Sequence, residues 1–94
     1  MKVTVYGPLR SATGDKTVPV AFDGGTVSDA LAAFVDAYPR ARPQVYTDDG
    51  SVRPSVRLSV DGRRVDLEAK CPPDAELSVV PAVQGGSGAP RVRL

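Results

Sequence analysis

The chain predicts an α+β fold in which a mixed sheet is covered by one main helix. Three features lead there. Period-two β patterns lie on both sides of a single stretch with strong helical period. That stretch carries one apolar stripe, and a sheet is the only surface large enough to bury it. No tight turn joins the first β run to the last, which suits parallel pairing of the two at the sheet centre.

Lys2-Val3-Thr4-Val5-Tyr6 alternates, with Val3 and Val5 on one face. Gly7-Pro8 breaks the run, and Ser11 to Lys16 reads as a turn. Thr17 to Phe22 alternates again, with Val18, Val20 and Phe22 together. Pro19 has no N–H for a ladder, so this run is an edge strand that forms a hairpin with the first. Asp23-Gly24-Gly25 is a second turn. Thr26 has the chemistry of a helix N-cap, and Asp29 three residues on completes a near capping box. Val27, Ala30, Leu31, Phe34, Val35 and Tyr38 then recur on one helical face, until Pro39 ends the helix. A stripe of this kind is core rather than a ligand site.

Arg40 to Ser55 holds no period and reads as a long loop with at most one short strand. Arg40, Arg42, Arg53 and Arg57 lie in or near it. Tyr46 alone offers a stacking surface there, so a solvated loop outweighs a nucleic-acid patch. Val56, Leu58 and Val60 alternate inward, Asp61-Gly62 is a strong two-residue hairpin signal, and Arg63 to Leu67 returns as a short strand. Cys71 to Ala75 turns into the last strand, Glu76 to Val80, with Leu77 and Val79 facing one way. The order is strand, strand, helix, strand, short strand, strand. With the end strands parallel and the helix across them, this is a β-grasp, or ubiquitin-like, roll, from which the residues after Val80 are expected to leave as a tail.

Ninety-four residues make one small domain, able to bury one core but not a deep pocket as well. The net charge of +1 gives no bulk attraction to nucleic acid or to membranes. Arg91 and Arg93 fall in the last eight residues, so the part before them carries −1. The chain has no histidine, which removes imidazole bases, histidine zinc ligands and histidine triads. Its one cysteine, Cys71, makes neither a disulfide nor a metal site alone, and only Lys70 stands near to activate it, so it reads as structural. Asp15, Asp23, Asp48, Asp49 and Asp66 sit in turns or on exposed faces and form no acid/base pair. Met1 to Gly7 is too short and polar for a secretory leader, and no apolar run reaches membrane-spanning length, so the expected compartment is the cytoplasm.

One feature remains: Val79-Val80-Pro81-Ala82-Val83-Gln84-Gly85-Gly86, an apolar strand running through a proline into a diglycine. Locally, Gly85 to Pro90 suits a flexible linker. In its position at the end of the last strand, with the amino-terminal hairpin, the Thr26-Val27-Ser28-Asp29-Ala30-Leu31 helix start and the Val60-Asp61-Gly62 turn, it resembles the MoaD/ThiS family of ubiquitin-like sulfur carriers. The resemblance covers residues 1–86. The Pro81-Ala82-Val83 ending looks most like carriers that serve cysteine biosynthesis.

The resemblance implies a domain over 1–86 and a flexible extension over 87–94, removed in the active form. It implies that an E1-like enzyme uses ATP to adenylate the Gly86 carboxylate, that sulfur replaces the adenylate to give a thiocarboxylate, and that a sulfur-accepting synthase consumes it. The carrier itself is then no enzyme, and binds no cofactor or metal. Gly85 and Gly86 pass through a narrow channel because they lack side chains. Leu77, Val79, Pro81, Ala82, Val83 and Gln84 are the expected partner-docking surface, with part of it core. The family normally ends at the diglycine, whereas here Ser87 follows. The extension is a native pro-segment cut between Gly86 and Ser87 by a processing metallopeptidase, an artificial addition, or a sign that carrier function has been lost; the first is favoured. Two other functions stay open: a ubiquitin-like modifier joined to lysines through Gly86, and a β-grasp interaction module with an inert tail. A stand-alone enzyme is the least favoured. The sulfur acceptor is not named by the sequence.

Overall fold

The alternation at the amino terminus becomes β1 (Lys2–Val5), in which Val3 and Val5 are fully buried. The computed structural model describes residues 1–81. After β1 come a short helix α1 (Leu9–Thr13), β2 (Thr17–Pro19), β3 (Gly25–Thr26) and the main helix α2 (Val27–Ala37). A 3-10 turn (Pro39–Ala41) leads into α3 (Arg42–Val45). Then follow β4 (Arg57–Val60), β5 (Arg63–Arg64), β6 (Lys70–Cys71) and β7 (Glu76–Val80).

Five strands form one sheet in the order β2-β1-β7-β4-β5, and β3 pairs with β6 in a separate two-stranded ribbon. β1 and β7 run parallel in the register Lys2↔Glu76 to Val5↔Val79, while the other neighbours are antiparallel. This is the expected β-grasp. β2 is an edge strand, as Pro19 requires, and Pro19 is exposed on it.

The helix starts as its sequence dictates. The Asp29 N–H donates to Thr26 Oγ1 at 3.1 Å and the Thr26 N–H donates to Asp29 Oδ2 at 3.0 Å, so two amides that the helix cannot satisfy itself are satisfied reciprocally. Val27, Ala30, Leu31, Phe34 and Val35 are buried against Val3, Val5, Leu58, Leu77 and Val79 of the sheet. Tyr38 closes the stripe half-buried, its ring centroid 5.8 Å from that of Phe34. At the β4–β5 turn Asp61 has φ 51° and Gly62 φ 86°, the paired left-handed conformations of a type I′ hairpin.

Several expectations are corrected. Ser11 to Lys16 is not simply a turn, because residues 9–13 wind into α1. Its fully buried Leu9 ties it to the core, and Gly14, at φ 85°, closes it with an N–H to Arg10 O bond of 2.8 Å. Arg40 to Ser55 is not one long loop. Pro43 lies in the first turn of α3, where no amide is needed, and Ala41 and Val45 are buried beneath it. The short strand expected there is a single Tyr46↔Val52 bridge. Arg42 and Arg53 are used locally: the Arg42 guanidinium lies 5.4 Å from the Tyr46 ring centre, and Arg53 Nε donates to Pro43 O at 2.9 Å. The second and fifth strands are shorter than their patterns, and Lys70–Cys71 is a strand rather than part of a turn.

Replacing Phe34 with Ala should cost about 3–5 kcal/mol of unfolding free energy, because it opens a cavity at the helix–sheet contact. Replacing Thr26 with Ala should cost about 1 kcal/mol, the loss of one cap. Urea denaturation of the two variants checks both the values and their order.

Candidate functional site

The candidate site is the carboxyl-terminal end of β7, and β1 is what positions it. Parallel pairing brings the two strands to the same edge of the sheet side by side, with Val79 opposite Val5. After β1 the chain turns sharply at Gly7, which has φ 61°. A Cβ there would lie 3.7 Å from Pro81 Cγ, so the Pro81 ring sits close over the turn that follows β1, and Pro81 is buried. Tyr6, 40% exposed, lies beside that turn with Lys16 Nζ 5.8 Å from its ring centre. The chain is thus held to its last described residue. Gly85 and Gly86 follow Pro81 by four and five positions, a covalent reach of at most about 18 Å.

Part of the expected docking surface is core, as its first positions show. Leu77 and Val79 are both 0% exposed, because the period-two geometry of β7 turns them toward α2, where they are core. Pro81 is also buried. Ala82, Val83 and Gln84, the activated-terminus residues Gly85 and Gly86, and the processing position Gly86–Ser87 lie outside the described residues. What β7 presents to solvent is the complementary set: Glu76 exposed, Ser78 and Val80 half-buried. Their neighbours on that face are Thr4 of β1 and Arg57 and Ser59 of β4. Thr4 Oγ1 donates to Glu76 Oε2 at 3.0 Å and lies 3.2 Å from Thr17 Oγ1, which ties three strands together across this polar face. The same alternation that marked Leu77 and Val79 as a pair also marked Ser78 and Val80. Which pair meets a partner depends on which side the helix covers.

Several ionisable side chains are occupied with structure. Asp29 caps α2, and Asp61 Oδ1 accepts from the Glu76 N–H at 3.0 Å. Asp49 accepts from the Thr47 hydroxyl and from the Ser51 N–H, and these bonds hold its carboxyl below the usual carboxylate range. Cys71, the second residue of β6, is 1% exposed. Burial pushes its thiol up, the Asp61 carboxylate adds to this, and the amino-terminal charge opposes it. Among the described residues no group of three or more His, Cys, Asp or Glu is placed to hold a metal ion. No helix among them is long and apolar enough to cross a membrane.

Comparison with known proteins adds to this geometry. A sequence profile of the ThiS family matches residues 3–86. The chain is 33% identical over 87 residues to small archaeal modifier protein 1 of Haloferax volcanii, which covers 92% of this chain and 100% of that one. A crystal structure of SAMP1 from Haloferax volcanii superposes with a TM-score of 0.83 at 32% identity, over 92% of this chain and 98% of the other. A chain in the crystal structure of the Amycolatopsis orientalis BexX/CysO complex has the same fold. There the TM-score is 0.72 at 23% identity, over 90% of this chain and 98% of the other.

The state of Cys71 is directly measurable. Alkylation by iodoacetamide at pH 8, followed by intact mass, should run at least about tenfold slower in the native protein than in concentrated urea. Holding this thiol neutral adds stability that is fully present below about pH 9, its ordinary value, and is lost as pH rises through the raised pKa. Urea midpoints of the parent and of Cys71→Ala should therefore converge on the alkaline side.

Proposed function

The chain belongs to the ThiS family, and on that premise we propose that it is a sulfur carrier whose working group is the backbone carboxylate of Gly86. The observation that carries this reading is the extent of the family match. It ends at residue 86, the second glycine, and leaves Ser87 to Leu94 outside. The fold supports it, since the segment leading to Gly85-Gly86 starts from the central strand of the sheet and from a buried proline.

The chemistry asks little of the side chains. Hydrolysis of the Gly86–Ser87 peptide bond by a processing metallopeptidase frees a carboxylate. An E1-like partner attacks ATP with that carboxylate, so that pyrophosphate leaves and an acyl adenylate forms. Hydrosulfide then displaces AMP and leaves a thiocarboxylate; a sulfur-accepting synthase takes the sulfur, and water supplies the oxygen that returns the carboxylate. None of these steps uses a side chain of the carrier, in keeping with a chain that has no histidine and a buried cysteine. The carrier acts as a co-substrate, binds no cofactor of its own, and works where ATP is at hand, in the cytoplasm. A chain of the same fold occurs in the BexX/CysO complex with a second protein. Partner contact here is assigned to the open face around Ser78 and Val80 in place of Leu77 and Val79.

A second reading has its own support. The relative at 33% identity is named a modifier protein, and an adenylated Gly86 also suits transfer to lysine amines. The two share the activated terminus and differ in what takes the acyl or the sulfur.

Intact mass separates them. Incubated with a cognate activating enzyme, ATP and a sulfur donor, a 1–86 chain should gain the mass difference of one oxygen-for-sulfur exchange, while the full chain stays unchanged until it is cut after Gly86. Gly86→Val should abolish the gain. Lysine conjugates without any thiocarboxylate would instead favour the modifier, and a full-length chain that supports its pathway uncut would remove the processing step.

A further inference from the structure

The two legs of the β4–β5 hairpin separate beyond the bond from the Val65 N–H to Leu58 O, 3.1 Å long. Between the diverging segments lies a cleft of about 590 Å³, a volume in the range of ligand-sized sites. Its inner wall is apolar: Val56 and Leu58 are buried, and Val65 and Leu67 are partly buried against the same core. Its rim is basic. Arg53, Arg57 and Arg64 line it against a single carboxylate, Asp66. The Arg53 guanidinium is held in place through its Nε bond to Pro43 O, which leaves its terminal N–H groups for other acceptors.

β5 is also the last strand of the sheet on this side. Ser59 faces Arg64 one position from the Leu58–Val65 hydrogen bond. Antiparallel pairs alternate, so Ser59–Arg64 is a non-hydrogen-bonded pair and the backbone N–H and C=O of Arg64 point to the open edge. An apolar wall, an arginine rim and a strand edge unpaired among the described residues suit one kind of occupant. A free small anion would leave the wall wet. A nucleic acid would want stacking surfaces, and no aromatic residue lines the cleft.

We propose that this cleft docks an extended acidic peptide segment of a partner protein, with one aliphatic side chain between the hairpin legs and flanking carboxylates on Arg57 and Arg64. The strand edge supplies main-chain pairing, and the guanidiniums supply charge-assisted bonds to the carboxylates. The lining residues all lie before Val80 in the chain and the binding needs no activation of Gly86, so its test reads independently of the carrier chemistry.

The test uses the full chain and a fluorescein-labelled peptide, Glu-Asp-Val-Ile-Asp-Glu, followed by anisotropy and by ¹⁵N amide shifts. Saturable binding is expected, with shifts centred on Val56, Val65 and Leu67 and none at Val18 on the far edge. Arg57→Glu with Arg64→Glu should weaken binding at least about tenfold. Both side chains are exposed, so the fold should survive, and far-UV circular dichroism checks it; Arg64→Ala alone, expected to weaken binding less, serves if the double variant unfolds. Replacing the peptide's Val-Ile with Gly-Gly should also weaken binding. No saturable binding, equal affinity in the arginine variants, shifts centred on β2, or displacement of the peptide by equimolar inorganic phosphate would each overturn the proposal.

Discussion

The parallel pairing of β1 with β7 is the contact on which the rest of this structure depends. It joins Lys2–Val5 to Glu76–Val80 across almost the whole described chain. Everything between must return to close it, so the pairing carries a large loop-closure entropy that only burial can offset. The burial is supplied at once, because Val3, Val5, Leu77 and Val79 all face α2 and are fully buried. On the opposite face Thr4 and Glu76 add a side-chain bond across the same pair of strands. The amino-terminal ammonium donates to Val20 O at 3.1 Å and holds the outer edge down. A chain assembled around such a non-local contact is expected to fold more slowly than a helical bundle of equal length.

That constraint also explains the division of labour in the molecule. A strand in the middle of a sheet, buried on one face and paired on both edges, is a rigid place for the chain to leave the fold. The carboxyl-terminal residues begin from it at a buried Pro81 packed near Gly7. The side chains meanwhile take structural duties: Asp29 in a cap, Asp49 in a turn, Asp61 on the Glu76 amide, Cys71 in the core. Whatever chemistry the chain takes part in, its own described residues are arranged to hold shape and present surface. The surface they present is uneven in charge, with guanidiniums gathered where the β4–β5 hairpin opens.

Features set by near neighbours in the chain were legible from the sequence, because their physics is local. Thr26 and Asp29 are three residues apart and satisfy each other's amides wherever the helix ends up packing. The stripe from Val27 to Val35 keeps its period through most of an eleven-residue helix, long enough to declare both the helix and its buried face. Pro19 could only lie on an edge, and Asp61-Gly62 could only turn tightly. The elements that stayed hidden are short. α1, α3 and the β3–β6 ribbon span two to five residues each, too few to show a period, and they exist because Leu9, Ala41, Val45 and Cys71 find room in a core built by distant segments.

The sequence by itself determined the main helix, the hairpin turn, the strand edges and a diglycine placed just beyond the last strand. Only the tertiary structure decided which side of that strand meets the world. Leu77 with Val79 is the more apolar of the two alternating sets along this strand and the better candidate for burial, but the strand alone does not say whether a helix of the same chain or a partner covers it. The choice is made where α2 lies down, since covering one face of the sheet buries the first pair and leaves the second open. The arginine-rimmed cleft has the same origin. Arg53, Arg57 and Arg64 are scattered along the chain and converge only because a two-residue turn folds β5 back beside β4 before the legs part.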